Sequence, residues 1–295
     1  MRYIIIMLIG SVVFSCNFQQ TKNVDGKPVV DNVPVIDLQE VAEIRLTNPN
    51  DFRLVLEKLD PGDLNSLNLA GIVFRNCVAD TLTRDSMFVV FNDFYNNVAA
   101  NYPENNESFS TQLSKSSSEN GLNQINTNLA SYGILLKSSE GISYIEPRLE
   151  FLSENYGSGL SLAYREYLTL CIKEQQAPFA EDGLILIPVD SIVSRILVWE
   201  NFVSKYPDFI AIRMAQDQYT QYLGAFLTGM ENSRVFDSET NHLDDNAKLG
   251  FESFVAKNPG SVSSGIVRAY LDLLESTRFN YTEKVDSFLL EKVYH

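Results

Sequence analysis

Apolar residues recur at helical spacing along most of this chain. The first such run, "FRLVLEKL" at residues 52–59, follows the polar segment "NPND" at residues 48–51. Asn and Asp side chains in this place can accept hydrogen bonds from the free N–H groups of a first helical turn. Two more helices are predicted at residues 64–79 and 84–101, and Pro103 is expected to end the third because proline lacks a backbone N–H.

The period of the apolar pattern changes twice farther along. "ILL" at residues 134–136 and "ISYI" at residues 142–145 flank the polar segment "SSEG", which predicts a small β-hairpin. "GLILIPVD" at residues 183–190 predicts another short strand, which ends at Asp190, the expected cap of a helix that begins near Ser191. These strands form an excursion from a helical body. The pattern therefore predicts a mainly α fold with a small β-hairpin excursion.

One nine-residue phrase occurs twice. "WENFVSKYP" at residues 199–207 and "FESFVAKNP" at residues 251–259 lie 52 positions apart, and weaker copies precede them near residues 95–103 and 151–168. In both phrases the apolar residues eight, five and four positions before the proline share one helical face. The proline cannot continue that helix, so the next helix folds back on it. The phrase predicts stacked antiparallel helix pairs.

These residues resemble the tetratricopeptide repeat, in which an aromatic residue stands eight positions before a closing proline. A small residue twelve positions before the proline is also typical of that family. Ala247, Phe251 and Pro259 match all three positions. Trp199 and Pro207 match without the small residue, because Arg195 stands there. The spacing of 52 residues exceeds the family period of about 34, and residues 231–245 can largely supply the insertion. The resemblance implies a tetratricopeptide-like α-solenoid, a kind of array that binds other proteins.

The amino terminus has the pattern of an export signal. A short positive start precedes the apolar run at residues 4–14, which is too short to span about 30 Å of hydrocarbon. The run ends in "VFSC" at residues 13–16, which resembles the lipobox of bacterial lipoproteins. That resemblance implies cleavage before Cys16, a diacylglycerol on its sulfur, and an acyl chain such as palmitate on the new amino group. Two or more acyl chains hold a protein stably on a membrane.

This resemblance sets the expected domain boundaries and location. Residues 1–15 are the lipoprotein signal peptide, residues 16–36 a lipidated flexible tether, and residues 37–295 the helical-repeat domain. The expected location is the bacterial cell envelope, with membrane lipid bound through Cys16. Asn17 follows the cysteine, where some lipoproteins of the inner membrane carry aspartate, so the outer membrane is favoured over the inner.

The net charge and the cysteines bear on the expected partners and on a possible disulfide. The formal net charge is −15, which disfavours nucleic acid because a surface of that sign repels phosphates. Export would place Cys77 and Cys171 in an oxidising compartment that permits a disulfide between them. Buried thiols that pack as small apolar groups are the alternative.

No catalytic motif is found in the sequence. It contains two histidines, and neither a nucleophile elbow, a zinc-protease helix nor a phosphate-binding loop occurs. The acidic loop around His242 lacks the spacing of a calcium loop, and Asp244 or Asp245 capping the next helix is the simpler interpretation. We expect no catalytic residue, metal or cofactor. Glu150, Glu154 and Glu166 are open to two interpretations, paired catalytic carboxylates or a solvated helical face.

Three functions remain after this search. The leading hypothesis is an envelope lipoprotein that binds another envelope protein through its helix pairs. The alternative is a glycan-binding accessory lipoprotein, and a carboxylate-dependent envelope hydrolase ranks behind both. Four aromatic residues are candidates for stacking on sugars or for packing in the core: Trp199, Tyr206, Tyr219 and Tyr222.

Overall fold

A computed structural model describes residues 43–106, 109–111, 119–139 and 142–294. In these residues the chain is mainly helical with small two-stranded antiparallel sheets, which confirms the predicted fold class. The signal peptide, Cys16 and the tether at residues 16–36 lie outside the described residues. Within the described ranges no helix combines the length and the apolar character that crossing a membrane requires.

The chain forms two compact units that divide between Thr169 and Leu170, within the range predicted as one domain. The helices are α1 Pro49–Leu56, α2 Asn65–Asn76, α3 Thr81–Asn105, α4 Glu119–Ala130, α5 Leu149–Tyr156, α6 Leu162–Gln176, α7 Val189–Lys205, α8 Ile212–Thr228, α9 Asp245–Lys257, α10 Val262–Ser276 and α11 Glu283–Lys292. The strands are β1 Ile134–Ser139, β2 Ile142–Pro147, β3 Ala180–Glu181, β4 Leu184–Ile185, β5 Gly229–Met230 and β6 Ser233–Arg234.

An aromatic cluster forms the core of the N-terminal unit. The ring of Phe74 stacks on Phe91 at 5.1 Å and meets Phe52 and Tyr156 edge-on at 5.9 and 5.8 Å. Such pairs add to the hydrophobic gain of burying the rings. The predicted hairpin is present as β1 and β2, which pair Ile134 with Pro147, and it packs on α3.

Helix α3 differs from its prediction at both ends. It begins at Thr81 because Asp80 is the N-cap, whose carboxylate accepts from the N–H groups of Leu82 and Thr83, both at 3.0 Å. It continues through Pro103 and ends at Asn105, so the prediction that Pro103 ends the helix was wrong. A proline so near the end of a helix removes only one backbone hydrogen bond, which the preceding turns can tolerate.

Helix pairs form the C-terminal unit. Helix α7 packs on α8, α9 packs on α10, and α10 also contacts α7. The two repeated phrases end α7 and α9, and in each the residue before the proline donates its backbone N–H four residues back at 3.0 Å. Phe226 of α8 joins the pairs, with its ring 5.1 Å from Phe251 and 5.3 Å from Phe254. The predicted antiparallel pairs are therefore confirmed.

The segment at residues 183–190 gives a shorter strand than predicted. It contributes β4, which pairs with β3 across Asp182 and Gly183, with φ values of +47° and +67°. Two successive positive φ values are typical of the type I′ turn that Asp-Gly favours. Helix α7 then begins at Val189 with Pro188 as its N-cap, so Asp190 lies in the first turn and the prediction that it caps the helix was wrong.

Candidate functional site

The candidate site is the set of polar and aromatic side chains that joins the helices of the C-terminal unit. It includes the four aromatic residues predicted from the sequence. Trp199 is 0% exposed and Tyr222 3% exposed, whereas Tyr206 and Tyr219 are half-buried. The first two cannot stack on a ligand, because their positions on α7 and α8 face into the helix pair. For these two residues the structure supports the packing interpretation.

Glu174 connects the buried aromatic residues to a cation. Its Oε1 accepts from Trp199 Nε1 at 2.6 Å, and its carboxylate also accepts from the Tyr222 hydroxyl. Arg195 in turn donates from Nη1 to the Tyr222 oxygen at 3.0 Å. Burial raises the pKa of Glu174 above its ordinary value of 4.5, against the opposing effects of Trp199, Arg195 and Tyr222. The carboxylate is used to hold α6, α7 and α8 together.

We expect Glu174→Gln to change how stability depends on pH. The pKa of Glu174 is raised in the folded chain. Its contribution to stability is therefore complete below pH 4.5, the ordinary pKa of a glutamate, and is lost as the pH rises through the pKa of the folded state. The free energy of unfolding of the wild type should therefore fall relative to Glu174→Gln across that window. Denaturant titrations at several pH values, followed by the fluorescence of the single tryptophan, measure the difference. A difference that is constant with pH would contradict it.

Glu200 joins the two helix pairs. Its Oε1 accepts from the Val262 N–H and its Oε2 from the Ser263 N–H, both at 2.8 Å. The Ser263 hydroxyl also donates to Oε2, and the Tyr219 hydroxyl lies 2.9 Å from the Ser263 oxygen. These N–H groups belong to the first turn of α10 and have no partner within their own helix. A carboxylate from α7 thus caps α10, where the helix dipole favours negative charge.

Sequence reasoning missed Glu174 and Glu200. Nothing local predicts that a glutamate will cap a helix that begins 62 residues later. One weak signal exists, because a glutamate follows the aromatic residue in both phrases, as Glu200 and as Glu252. The first of these is half-buried and caps a helix, whereas Glu252 is exposed. Glutamate at the same position of the two phrases therefore has two different roles, which only the tertiary packing distinguishes.

The carboxylates proposed for hydrolysis are arranged differently. Glu150 and Glu154 lie one turn apart on α5 and are exposed, as a solvated helical face requires, and Glu166 is half-buried on α6. In the described part of the chain, no three acidic, histidine or cysteine side chains are grouped so that they could hold a metal. The geometry supports the solvated-face interpretation for Glu150 and Glu154.

The acidic loop near His242 contains a pocket of about 250 Å³. Asp244 caps α9 by accepting from the N–H groups of Asn246 and Ala247 at 2.8 and 3.1 Å, which confirms the cap predicted here. Asp237 closes its own turn by accepting from nearby backbone N–H groups, which lower the pKa of its carboxyl. Tyr281, also in the pocket lining, donates to Asp286 at 2.6 Å. The hydrogen-bonding groups of Asp244, Asp237 and Tyr281 thus already have partners within the protein.

Cys77 is buried at the end of α2. Its Sγ donates to the Val73 oxygen at 3.2 Å, and burial raises its pKa to about 11, although the Arg84 guanidinium opposes this. Cys171 is half-buried on α6. Both are thiols in this structure. The surroundings of Cys77 favour the interpretation as a small apolar group, and the disulfide with Cys171 stays a prediction.

We expect Cys77 to react with iodoacetamide only when the protein unfolds. At pH 8 a thiol with a pKa of about 11 is almost entirely protonated, and burial also excludes the reagent. Peptide mass spectrometry after brief alkylation, with and without denaturant, gives the extent of modification. Rapid labelling of Cys77 in the native protein would contradict its burial, and Cys171 is the internal comparison.

Two half-buried carboxylates of the C-terminal unit thus serve to connect helices. Glu174 accepts from an indole and a phenol, and Glu200 accepts from the start of a helix. Comparison with known proteins adds no relative, because no family model, curated protein or solved structure matches the chain.

Proposed function

We propose that this chain is a bacterial envelope lipoprotein that acts as a non-catalytic scaffold and binds another envelope protein through its helix pairs. The observation that carries the proposal is the use of polar groups to connect helices. Glu174, Glu200 and their aromatic partners join helices to one another through hydrogen bonds. A framework of paired helices offers a preformed surface for a partner, which lowers the entropic cost of binding.

The anchor is the second part of the proposal. The lipobox-like "VFSC" at residues 13–16 supports lipidation of Cys16, and residues 16–36 have the composition of a flexible tether. Such a tether would hold the folded units near a membrane while leaving them free to meet a partner. The outer membrane is the proposed location, because Asn17 differs from the aspartate associated with inner-membrane retention.

The glycan-binding alternative has lost part of its support. Of its four aromatic candidates, Trp199 and Tyr222 are enclosed by the helix pair. Tyr206 and Tyr219 keep some exposure, but Tyr219 is also held by Ser263. A stacking platform needs rings that present their faces to solvent.

Mass spectrometry of the amino-terminal peptide tests the anchor. We expect native protein from membranes to begin at Cys16 and to carry a diacylglycerol and an amide-linked acyl chain. Cys16→Ala should lack these lipids, because only a thiol can accept the diacylglycerol. Cys171→Ala is the matched control and should retain them. An unmodified Cys16 in the native protein would refute the anchor.

Affinity purification tests the scaffold. We expect full-length protein, extracted in mild detergent from its native cells, to carry a second protein in stoichiometric amount. Densitometry of the purified complex and its mass in solution measure the ratio. Purification of the chain alone under several mild detergents would contradict the scaffold while leaving the lipid anchor intact.

A further inference from the structure

An apolar strip lies on the surface of the C-terminal unit. It consists of Leu184 and Leu186, each 48% exposed, and Val189, 54% exposed. Leu184 and Leu186 alternate with half-buried Ile185 and Ile187, so they share the outward face of an extended segment. Large apolar side chains that are exposed to water this near one another along the chain are costly unless something covers them.

This apolar strip is held firmly in place. The Leu186 N–H donates to the Phe179 oxygen at 2.9 Å on one side of the segment. On its other side the Ile185 N–H donates to the Ser233 hydroxyl at 2.8 Å. The turn at Gly183 is fixed as well, since its oxygen accepts from the Asn232 N–H at 3.0 Å. The backbone of the strip is therefore preformed, which lowers the entropic cost of binding.

Exposed carboxylates flank the apolar strip. Glu181, Asp182 and Asp190 are exposed and flank it in sequence. Glu231 is close as well, because a Cβ atom built on Gly183 would lie 3.1 Å from the Glu231 Cβ. Arg234 is the cation of the same hairpin as Glu231, and its Nε donates to the backbone carbonyl oxygen of Glu231 at 3.0 Å. The four carboxylates of Glu181, Asp182, Asp190 and Glu231, called the carboxylate rim below, outnumber this one cation.

We propose that the apolar strip binds an extended apolar segment of a partner protein that carries lysine or arginine beside its apolar residues. This inference rests on the proposed scaffold function and names the chemistry of its partner. Apolar side chains of the segment cover Leu184, Leu186 and Val189, and its cations meet the carboxylate rim. Such charge complementarity speeds association and excludes partners of the wrong sign.

Two other occupants fit the rim poorly. A second copy of this chain carries the same net charge of −15 and would bring carboxylates against carboxylates. An anionic membrane surface attracts basic segments, and the acidic rim is repelled by it. The sign of the charge therefore favours a basic segment of another protein.

Site-specific photocrosslinking in the native cells tests the proposal. The photoreactive amino acid benzoylphenylalanine replaces Leu186 in the full-length chain, and in a matched control it replaces Leu249, which is 62% exposed on α9 of the same unit. After irradiation the crosslinked peptide is sequenced by mass spectrometry. We expect the probe at position 186 to join a peptide of another protein that is apolar and has lysine or arginine close by.

Neutral variants test the contribution of the rim. Asp182→Asn combined with Asp190→Asn should lower the crosslink yield at position 186 about fivefold, because two rim charges are lost. Asp245→Asn is the matched control, since Asp245 is likewise an exposed aspartate in the first turn of a helix. It should leave the yield unchanged. Equal yields from the double variant and the wild type would overturn the charge argument.

The remaining outcomes are also decisive. A crosslink to a second copy, to lipid or to an acidic peptide overturns the proposal, and so does a yield at position 186 no higher than at position 249. The affinity purification described above separates this failure from failure of the scaffold. If a stoichiometric partner co-purifies without a crosslink at position 186, the scaffold stands and the apolar strip is excluded as its surface.

Discussion

Glu200→Ala should lower the free energy of unfolding of the C-terminal unit by about 3 kcal/mol. The substitution removes a charged acceptor from the N–H groups of Val262 and Ser263 and from the Ser263 hydroxyl. Ser263 is buried, so its hydroxyl and N–H lose a partner that water cannot easily replace. Helix α10 also loses the negative charge at its N-terminus.

The single tryptophan makes this effect measurable. Trp199 lies in the C-terminal unit, one residue from Glu200, so its fluorescence reports the unfolding of that unit during denaturant titration. Glu252→Ala is the matched control at the corresponding position of the second phrase, and it should cost less than about 0.5 kcal/mol because Glu252 is exposed. Equal losses in the two variants would refute the interhelical cap.

Glu200→Gln refines the same measurement. The amide oxygen can still accept one N–H of α10, but the charge and the second acceptor are lost. We expect a loss between those of the alanine variant and the wild type, about 1–2 kcal/mol. A loss as large as that of Glu200→Ala would show that the charge and the second acceptor carry the whole effect, and no loss would show that one neutral acceptor suffices.

Much of the fold could be predicted because its signals are local. The repeated phrases place apolar residues on one helical face and end at a proline, and each phrase ends a helix in the structure. The sequence predicted a cap among the Asn and Asp residues at 48–51 and another at Asp244 or Asp245, and Asn48 and Asp244 are the caps in the structure, with partners within three residues. Signals between residues this near in sequence can be interpreted without the tertiary structure.

One local signal was present but was not interpreted. "EDGL" at residues 181–184 contains the Asp-Gly pair that favours a two-residue hairpin, and the structure places β3 and β4 on either side of it. The apolar run "LILI" predicted one strand but not the strand that pairs with it. The turn residues would have indicated its partner.

The candidate site could not be predicted, because its contacts are distant in sequence. In the N-terminal unit buried Asp85 accepts from the Ser161 N–H at 2.9 Å, just before α6 begins. In the C-terminal unit Glu200 makes the corresponding contact with α10. Both units thus use a carboxylate on one helix to hold the start of another. No spacing along the chain reveals which carboxylate will do so.

The aromatic residues show the same limit of prediction from the sequence. Helical spacing indicated that Trp199 and Tyr222 lie on apolar faces, and the open question was whether those faces meet a helix or a ligand. Burial answers this for the free chain, since both rings lie inside the α7–α8 pair. Their polar atoms are satisfied there by Glu174 and Arg195, as enclosed indole and phenol groups require.

Trp199→Ala should be the most destabilising of these changes, with a loss of about 4 kcal/mol from the free energy of unfolding of the C-terminal unit. Trp199 is fully buried, its ring lies 5.7 Å from that of Phe202, and its indole N–H satisfies Glu174. The alanine variant leaves a cavity and leaves the half-buried carboxylate of Glu174 without one of its donors. Trp199→Phe fills most of the volume but lacks the N–H, and we expect a loss of about 2 kcal/mol.

Hydrogen exchange measures this loss, because the variant has no tryptophan fluorescence. Amides of α7 and α8 should lose protection by the same free energy, whereas those of the N-terminal unit should serve as an unchanged reference. Tyr206→Ala is the control, and removing this half-buried ring should cost about 1 kcal/mol. If Trp199 instead served to stack on a glycan, its removal would abolish binding and leave protection unchanged. Such a result would refute the core role of Trp199, and with it the argument that this unit is a framework of mutually buried helices.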